Sequence, residues 1–281
     1  MAYNFNDAVA VITGAGSGIG RALAIGLAGQ GAHLALSDIN QSGLDETAAL
    51  IGDKVKIRTD LLDVTNRKAM FEYAEMVQAH FGKVNLVFNN AGSALNGEFT
   101  RTGLGDFDWQ MDVNFGGVLN GTKAFLPILE QAEWGHITNI SSIFGIIAAP
   151  GNSAYNASKF AVRGLTECLR IELGQAKSTV SCTSVHPGGV KTNVVRNARS
   201  ARGNTFMGGK THDEMVKNFD KLARTSPEKA AAIILKGTAK NKKRVLVGTD
   251  AKIIDKIQRL FPTVYFPIMV KLFGYGKDLM E

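Results

Sequence analysis

The sequence predicts an α/β fold: a doubly wound, mostly parallel sheet of seven strands with helices on both faces. Three observations point to it. Short apolar runs alternate with longer segments of helical spacing along most of the 281 residues, as in strands joined by crossover helices. Two runs, "AVAVIT" (8–13) and "VNLVFN" (84–89), are almost uninterruptedly apolar, as strands covered on both faces are. Thirty-one Gly against six Pro suit a chain with many tight strand-to-helix turns.

Taken in order, the first strand (8–13) runs into "TGAGSGIGRALA", and helical spacing follows until Gly31 stops it. "HLALSD" (33–38) is the second strand and ends in Asp38; "KVKIRT" (54–59) is the third. A helix over 66–82 closes at Gly82 and the fourth strand (84–89) follows. One long helical pattern covers 107–132. "HITNIS" (136–141), a helix over 153–176, "VSCTSV" (180–185) and "RVLVG" (244–248) complete the series. No repeat or low-complexity linker interrupts it, so residues 1–281 form a single domain. Two regions break the rhythm. Residues 188–211 hold five Gly and five Lys/Arg without a period, within a substrate loop of about 188–225 that has the look of a mobile segment. The extension 249–281 begins with an amphipathic helix, "DAKIIDKIQRLF" (250–261), and continues as an apolar tail broken by Pro262 and Pro267. Ligands of open parallel sheets bind beyond the carboxyl ends of the strands, so either region could form a lid.

Composition narrows the function. A hydrophobic content of 45% with 20% charged residues is that of an ordinary core-forming protein. The N-terminus lacks the basic-then-apolar order of a signal peptide, and no apolar run has the length of a membrane span; the expected location is cytoplasmic. Cys168 and Cys182 have no metal or CxxC spacing and are expected as reduced core residues. The five histidines are scattered, so no metal site is expected. Residues 1–190 carry 13 Lys/Arg and 17 Asp/Glu, whereas 191–281 carry 19 and 8. That asymmetry suits an anionic partner or simply a solvated basic face. Without a basic helix or an aromatic RNA-binding signature, nucleic acid is not expected.

Three features carry chemistry. Glycines 14, 16, 18 and 20 at the first strand-to-helix turn allow a pyrophosphate to approach the backbone at a helix N-terminus, although such a turn also occurs for structural reasons alone. The spacing is TGxxxGxG, through Thr13, Gly14, Gly18 and Gly20, rather than GxGxxG. Asp38, twenty residues after Gly18, either accepts hydrogen bonds from a ribose or caps the next turn. Tyr155 and Lys159 are four apart in "SAYNASKFAV", hence on one helix face. An ammonium beside a phenol would move its pKa toward physiological pH; a chance pair would do nothing.

In order and spacing, TGxxxGxG, "NNAG" (89–92), Ser142, Tyr155-x-x-x-Lys159 and the "HPGGVKT" turn, with Pro187, Gly188 and Thr192, resemble the short-chain dehydrogenase/reductase family over about residues 8–248. The resemblance implies a Rossmann-type fold and an oxidoreductase acting on a secondary alcohol or ketone. It implies that Tyr155 exchanges the substrate proton, Lys159 lowers the tyrosine's pKa and holds the nicotinamide ribose, Ser142 holds the substrate oxygen, and Asn114 orders a water. It further implies cofactor contacts at Gly14, Ser17, Gly18, Ile19 and Gly20, the adenine pair Asp63 and Val64, Asn90 near the ribose, and Gly188, Val190 and Thr192 at the carboxamide. Ser17 and the Asp38-Ile39 pair stand where NADP-preferring members carry a basic residue, so NAD is expected over NADP; Arg21 is structural or close to the phosphates, without bearing on that preference. Homodimers or homotetramers are common among relatives.

Leu95, Ile143, Phe144, Val194, Val195, Phe206 and Met207 suggest a hydrophobic substrate, or ordinary loop packing. A 3-ketoacyl thioester is the alternative substrate, and a cofactor-binding interaction module the non-enzymatic one. Phe261, Val264, Tyr265, Phe266, Ile268, Met269, Leu272 and Phe273 among basic residues raise the prospect of peripheral membrane contact through 261–281. A tail covering the pocket or packing on a partner subunit is the expected arrangement.

Overall fold

The computed structural model describes residues 3–200 and 211–273, with side chains at 212, 215, 222 and 273 excepted. Seven parallel strands form the main sheet: β1 (Val9–Thr13), β2 (His33–Asp38), β3 (Ile57–Leu61), β4 (Leu86–Asn89), β6 (Gly135–Ile140), β7 (Val180–Pro187) and β9 (Arg244–Val247). Their order is β3-β2-β1-β4-β6-β7-β9. The reversal of winding lies between β1 and β4, and the carboxyl ends of those strands open onto the crevice where such sheets bind ligands.

Alternate residues of β1 enter different cores. Ala10 and Ile12 pack with Leu23 and Leu27 of helix α1 (Gly18–Ala28) and with Ile234 and Leu235 of α8 (Pro227–Ala239). Val9 and Val11 pack with Met70, Tyr73 and Val77 of α3 (Arg67–Phe81) and with Phe125 of α5 (Gly117–Leu129). Two-sided burial is what made this strand a continuous apolar run. Each fully buried Leu, Ile or Phe contributes roughly 1.5–3 kcal/mol of transfer free energy.

Local sequence sets the differences from expectation. The third strand begins at Ile57, not 54, because a 3₁₀ turn (Gly52–Lys54) ends the preceding helix α2 (Gln41–Ile51). That helix was not foreseen, although Asn40 caps it by accepting from Gly43 N. Nor was α8, started by Ser226 and Pro227. The helix expected over 107–132 is α4 (Leu104–Met111), a π turn (Asp112–Gly116) and α5. Gly117 there presses on Val64: an added Cβ would lie 2.6 Å from its Cγ2. α6 (Ser153–Gln175) spans nearly the whole predicted range. Cys182 is buried as expected, and burial pushes its thiol up to about 12. Cys168 is not a core residue; it lies exposed on α6 and donates to Glu172.

The loop after β7 has more structure than its composition suggests. A second, two-stranded parallel sheet joins β5 (Leu95–Asn96) to β8 (Arg199–Ser200). The Arg199 guanidinium stacks 3.8 Å from the centre of the Trp109 ring, and α7 (His212–Leu222) follows. The extension forms α9 (Thr249–Leu260) and α10 (Tyr265–Phe273). Pro267 does not break α10 because it falls in the first turn, where its missing N–H has no intrahelical partner to lose. The extension packs on its own domain. Ala251 and Met269, with Ile254 and Tyr265 beside them, join Ile143, Ile146 and Ile147 in a small core, and Ala148 N donates to the Tyr265 hydroxyl at 2.9 Å.

Candidate active site

Tyr155 and Lys159 share one face of α6, as their spacing requires. Lys159 Nζ donates to the Ile140 carbonyl at 3.1 Å and lies 5.7 Å from the centre of the Tyr155 ring. Burial pulls its ammonium down from 10.5 to about 8, which still favours the charged form at neutral pH. The tyrosine behaves differently from expectation. Burial raises its pKa, and a hydrogen bond with the Ser142 hydroxyl offsets only part of that rise. The ammonium, 5.7 Å from the ring centre, does not offset that rise in this arrangement.

Ser142 sits where β6 ends and a 3₁₀ turn (Ile143–Gly145) begins; its hydroxyl accepts from Phe144 N at 3.1 Å and starts that turn. Its backbone is held from behind by His186, whose Nδ1 donates to the Ser142 carbonyl at 2.9 Å. The other ring nitrogen pairs with Ser184 Oγ. Burial above all keeps His186 neutral, with its pKa lowered to about 4.

Asn114 lies in the π turn and is fully buried. Its amide exchanges hydrogen bonds with the Ser93 backbone, accepting from N at 2.9 Å and donating to O at 3.1 Å. It also donates to Ser158 Oγ, which donates in turn to the Tyr155 carbonyl. Asn114 and Lys159 converge on Gly92, where an added Cβ would lie 3.1 Å from Asn114 Oδ1 and 3.4 Å from Lys159 Nζ. A π turn widens a helix locally, and here it carries the asparagine toward the lysine.

The glycine turn lies beside this group. Gly14 and Gly18 adopt positive φ, +67° and +53°, and a Cβ on Gly20 would fall 2.0 Å from the Gly14 carbonyl. Ser17 enters α1 without a side-chain cap, so the helix start keeps free N–H groups and the positive end of its dipole. Asn90 secures the turn by donating to the Thr13 and Gly14 carbonyls at 2.9 and 3.1 Å. Ile19 packs inward against the core below. At the end of β2, Asp38 accepts from Gly16 N at 2.9 Å and Asn40 N at 3.0 Å, and each carboxylate oxygen keeps a lone pair. Asp38 is thus both a turn cap and a free acceptor. Arg21 is structural: it donates to the Gly16 carbonyl and Thr47 Oγ1 and pairs with Glu46. Asp63 caps its own turn through Thr65, while Val64 is buried, its carbonyl taken by Asn120.

The turn after β7 closes the far side. Gly188 and Val190 follow the strand, and Thr192 reaches across to the glycine turn: a Cβ on Gly18 would lie 3.2 Å from Thr192 Cγ2. Asp250, in the first turn of α9, accepts from Gly189 N at 2.7 Å. Its carboxylate fills the space a Cβ on Gly188 would need, 2.2 Å away.

Among the expected wall residues, Phe144 meets the Tyr155 ring edge-on at 6.1 Å. Val194 and Val195 are half-buried, whereas Leu95 and Ile143 are buried; Ile143 belongs to the small core beneath the extension. Phe206 and Met207 lie outside the described residues. Sequence reasoning missed Ser158, His186 and Asp250. Ser158 could have been found, being a polar residue one turn from Tyr155 on the same helix. Nothing in the local sequence links His186 to Ser142 or Asp250 to Gly189.

An uncapped helix start, an acceptor at the end of β2 and two turns closing around one space fit a dinucleotide. A profile of the family described as short chain dehydrogenase matches residues 8–203. The chain belongs to the short-chain dehydrogenase/reductase family. The oxidoreductase-class protein SadH of Mycobacterium tuberculosis is 50% identical to it over 266 residues, which are 93% of this chain and 94% of SadH. A short-chain dehydrogenase/reductase of Burkholderia phymatum, solved in complex with NAD, superposes with a TM-score of 0.85 at 30% identity, covering 92% of this chain and 95% of that one. A short chain dehydrogenase of Mycobacterium paratuberculosis, bound to NAD, has a TM-score of 0.74 at 26% identity over 87% and 97% of the two chains. Like these dehydrogenases, the chain is built around a nicotinamide dinucleotide site.

Proposed function

We propose that this short-chain dehydrogenase interconverts a secondary alcohol and a ketone on a hydrophobic substrate, with NAD(H) rather than NADP(H). The observation that carries this reading is the convergence of Ser142, Tyr155, Lys159 and Asn114 beside the glycine turn. The bound dinucleotide supplies or accepts hydride; the chain manages the proton and the geometry. In the reduction, the Ser142 hydroxyl donates to the substrate oxygen and orients it toward Tyr155. The Tyr155 hydroxyl then gives its proton to that oxygen as negative charge grows there. A phenol held above its ordinary pKa stays protonated through the neutral range, which suits the donor role. In the oxidation the same phenol must first lose its proton, so that direction needs higher pH. Lys159, charged and anchored on the Ile140 carbonyl, can donate to a ribose hydroxyl. Asn114 fixes the Ser93 segment and, through Ser158, the turn of α6 that bears Tyr155.

The cofactor preference rests on Asp38. A second negative group beside its carboxylate would be repelled, and Arg21 is committed to Glu46, Thr47 Oγ1 and the Gly16 and Gly43 carbonyls. The acyl-thioester alternative lacks a comparable feature. Purified Tyr155→Phe should keep NADH binding, followed by fluorescence, and lose turnover about 10²- to 10⁴-fold across a panel of ketones and alcohols. Full turnover in that variant overturns the assignment.

A further inference from the structure

The C-terminal extension presents an outer face that the catalytic reading does not use. In α10, Tyr265, Met269 and Val270 turn toward the domain. Val264, in the turn before α10, and Ile268 and Leu272 within it are spaced four residues apart and form one stripe, of which Ile268 is half-buried. Leu272 is 62% and Val264 50% exposed. The stripe continues through Phe261 and Leu260, the latter 73% exposed, to Ile253 on α9. Scattered exposed apolar residues are normal on a protein surface, whereas a contiguous set on consecutive helices marks a contact.

Charge identifies the contact. Residues 252–272 contain Lys252, Lys256, Arg259 and Lys271 and a single acid, Asp255. Asp255 is buried and pairs with Arg244 and Arg259, so it does not offset the outer surface. Lys252, Lys256 and Lys271 are exposed and flank the apolar stripe. Apolar side chains bordered by cations, with no exposed carboxylate among them, match the interfacial region of an anionic bilayer: acyl chains accept the stripe and headgroup phosphates accept the lysines.

We infer that the outer face of α9–α10 docks on a membrane surface carrying anionic lipid. The helices lie in the interface without crossing it; among the described residues no helix is long and apolar enough to span a bilayer. Their inner side is part of the small core with Ile143, Ile146 and Ile147, next to Ser142. Docking therefore brings the wall of the catalytic cleft close to the lipid, where apolar substrates concentrate. The inference does not depend on the alcohol–ketone assignment.

The test is flotation of the full-length protein with vesicles of phosphatidylcholine alone or with roughly one third phosphatidylglycerol. Binding is expected to the mixed vesicles, weakening as salt rises. Removing one flanking lysine should lower partitioning about five-fold, and the triple variant K252Q/K256Q/K271Q roughly a hundred-fold. L260S/F261S/V264S/L272S should abolish binding. All these positions are exposed, and an unchanged thermal midpoint and NADH affinity will verify that the variants remain folded. Absence of binding to either vesicle, equal binding to both, or retained binding in the folded variants overturns the proposal. So does a dimer, seen by light scattering, that dissociates with the serine variant, because a second copy would then own the face.

Discussion

Lys159→Met offers a stability prediction with a definite sign. Burial lowers the lysine from 10.5 to about 8, which at about 1.4 kcal/mol per pKa unit is a cost of roughly 3 kcal/mol for keeping the charge in place. Methionine has similar length and no charge, so it removes that cost. It also loses the bond to the Ile140 carbonyl, worth about 1–3 kcal/mol with the carbonyl left buried. The variant should therefore be more stable than the parent by up to about 2 kcal/mol at pH 7, while turnover collapses. The pH dependence follows. Below the folded pKa of about 8, both folded and unfolded chains hold the proton and the parent bears the whole cost. From there to 10.5 the folded chain releases its proton before the unfolded one, so the parent recovers the whole cost and the gap closes and then reverses by the value of the Ile140 bond. Calorimetric melts of both proteins from pH 6 to 10.5 will read this as a higher midpoint for the variant at neutral pH and a higher midpoint for the parent at the alkaline end. A parent that is the more stable at pH 7, or a gap that does not change with pH, refutes the reasoning.

Asp38→Ser should reduce the preference for NAD over NADP at least ten-fold in kcat/KM, since it removes a carboxylate that repels a 2′-phosphate; unaltered selectivity would remove Asp38 from the cofactor assignment. His186→Leu leaves the Ser142 carbonyl unpaired, at about 1–3 kcal/mol, and should lower kcat more than it raises KM, with His186→Asn restoring much of the loss by donating in its place. Equal kcat in the leucine variant would mean that Ser142 needs no such support. Asp250→Ala should weaken NADH binding about ten-fold by freeing Gly189 N, measured by fluorescence titration, and an unchanged affinity would detach α9 from the cofactor turn. Ketone reduction should hold steady through neutral pH and decline on the alkaline side as Lys159 and then Tyr155 lose protons, while alcohol oxidation rises over the same range; parallel profiles in the two directions would contradict Tyr155 as the proton carrier.

The strands were legible because two-sided burial leaves an unmistakable run, as in β1 and β4, and the proton pair because four residues along a helix always meet. The third strand slipped by three residues since "KVKIRT" alternates equally well from Lys54, and only the turn ending α2 decides where it starts. Asn114 was identifiable as a position, but the π turn that aims it runs into Gly117, which packs against Val64, a contact between distant segments. The same holds for His186 behind Ser142 and Asp250 under Gly189. The tyrosine's raised pKa was hidden for another reason. Charge spacing is written along the helix, whereas desolvation comes from every element that closes over the ring.

The reach of Asp250 back to the turn after β7 bears on how this enzyme can be handled. Protein clipped just past the final strand would forfeit the anchor of the turn after β7, although every family motif would survive in the shortened product. Affinity handles and crystallisation truncations therefore belong at the amino end. Annotating gene fragments by motif content alone would count such a product as intact although the turn after β7 has lost its anchor.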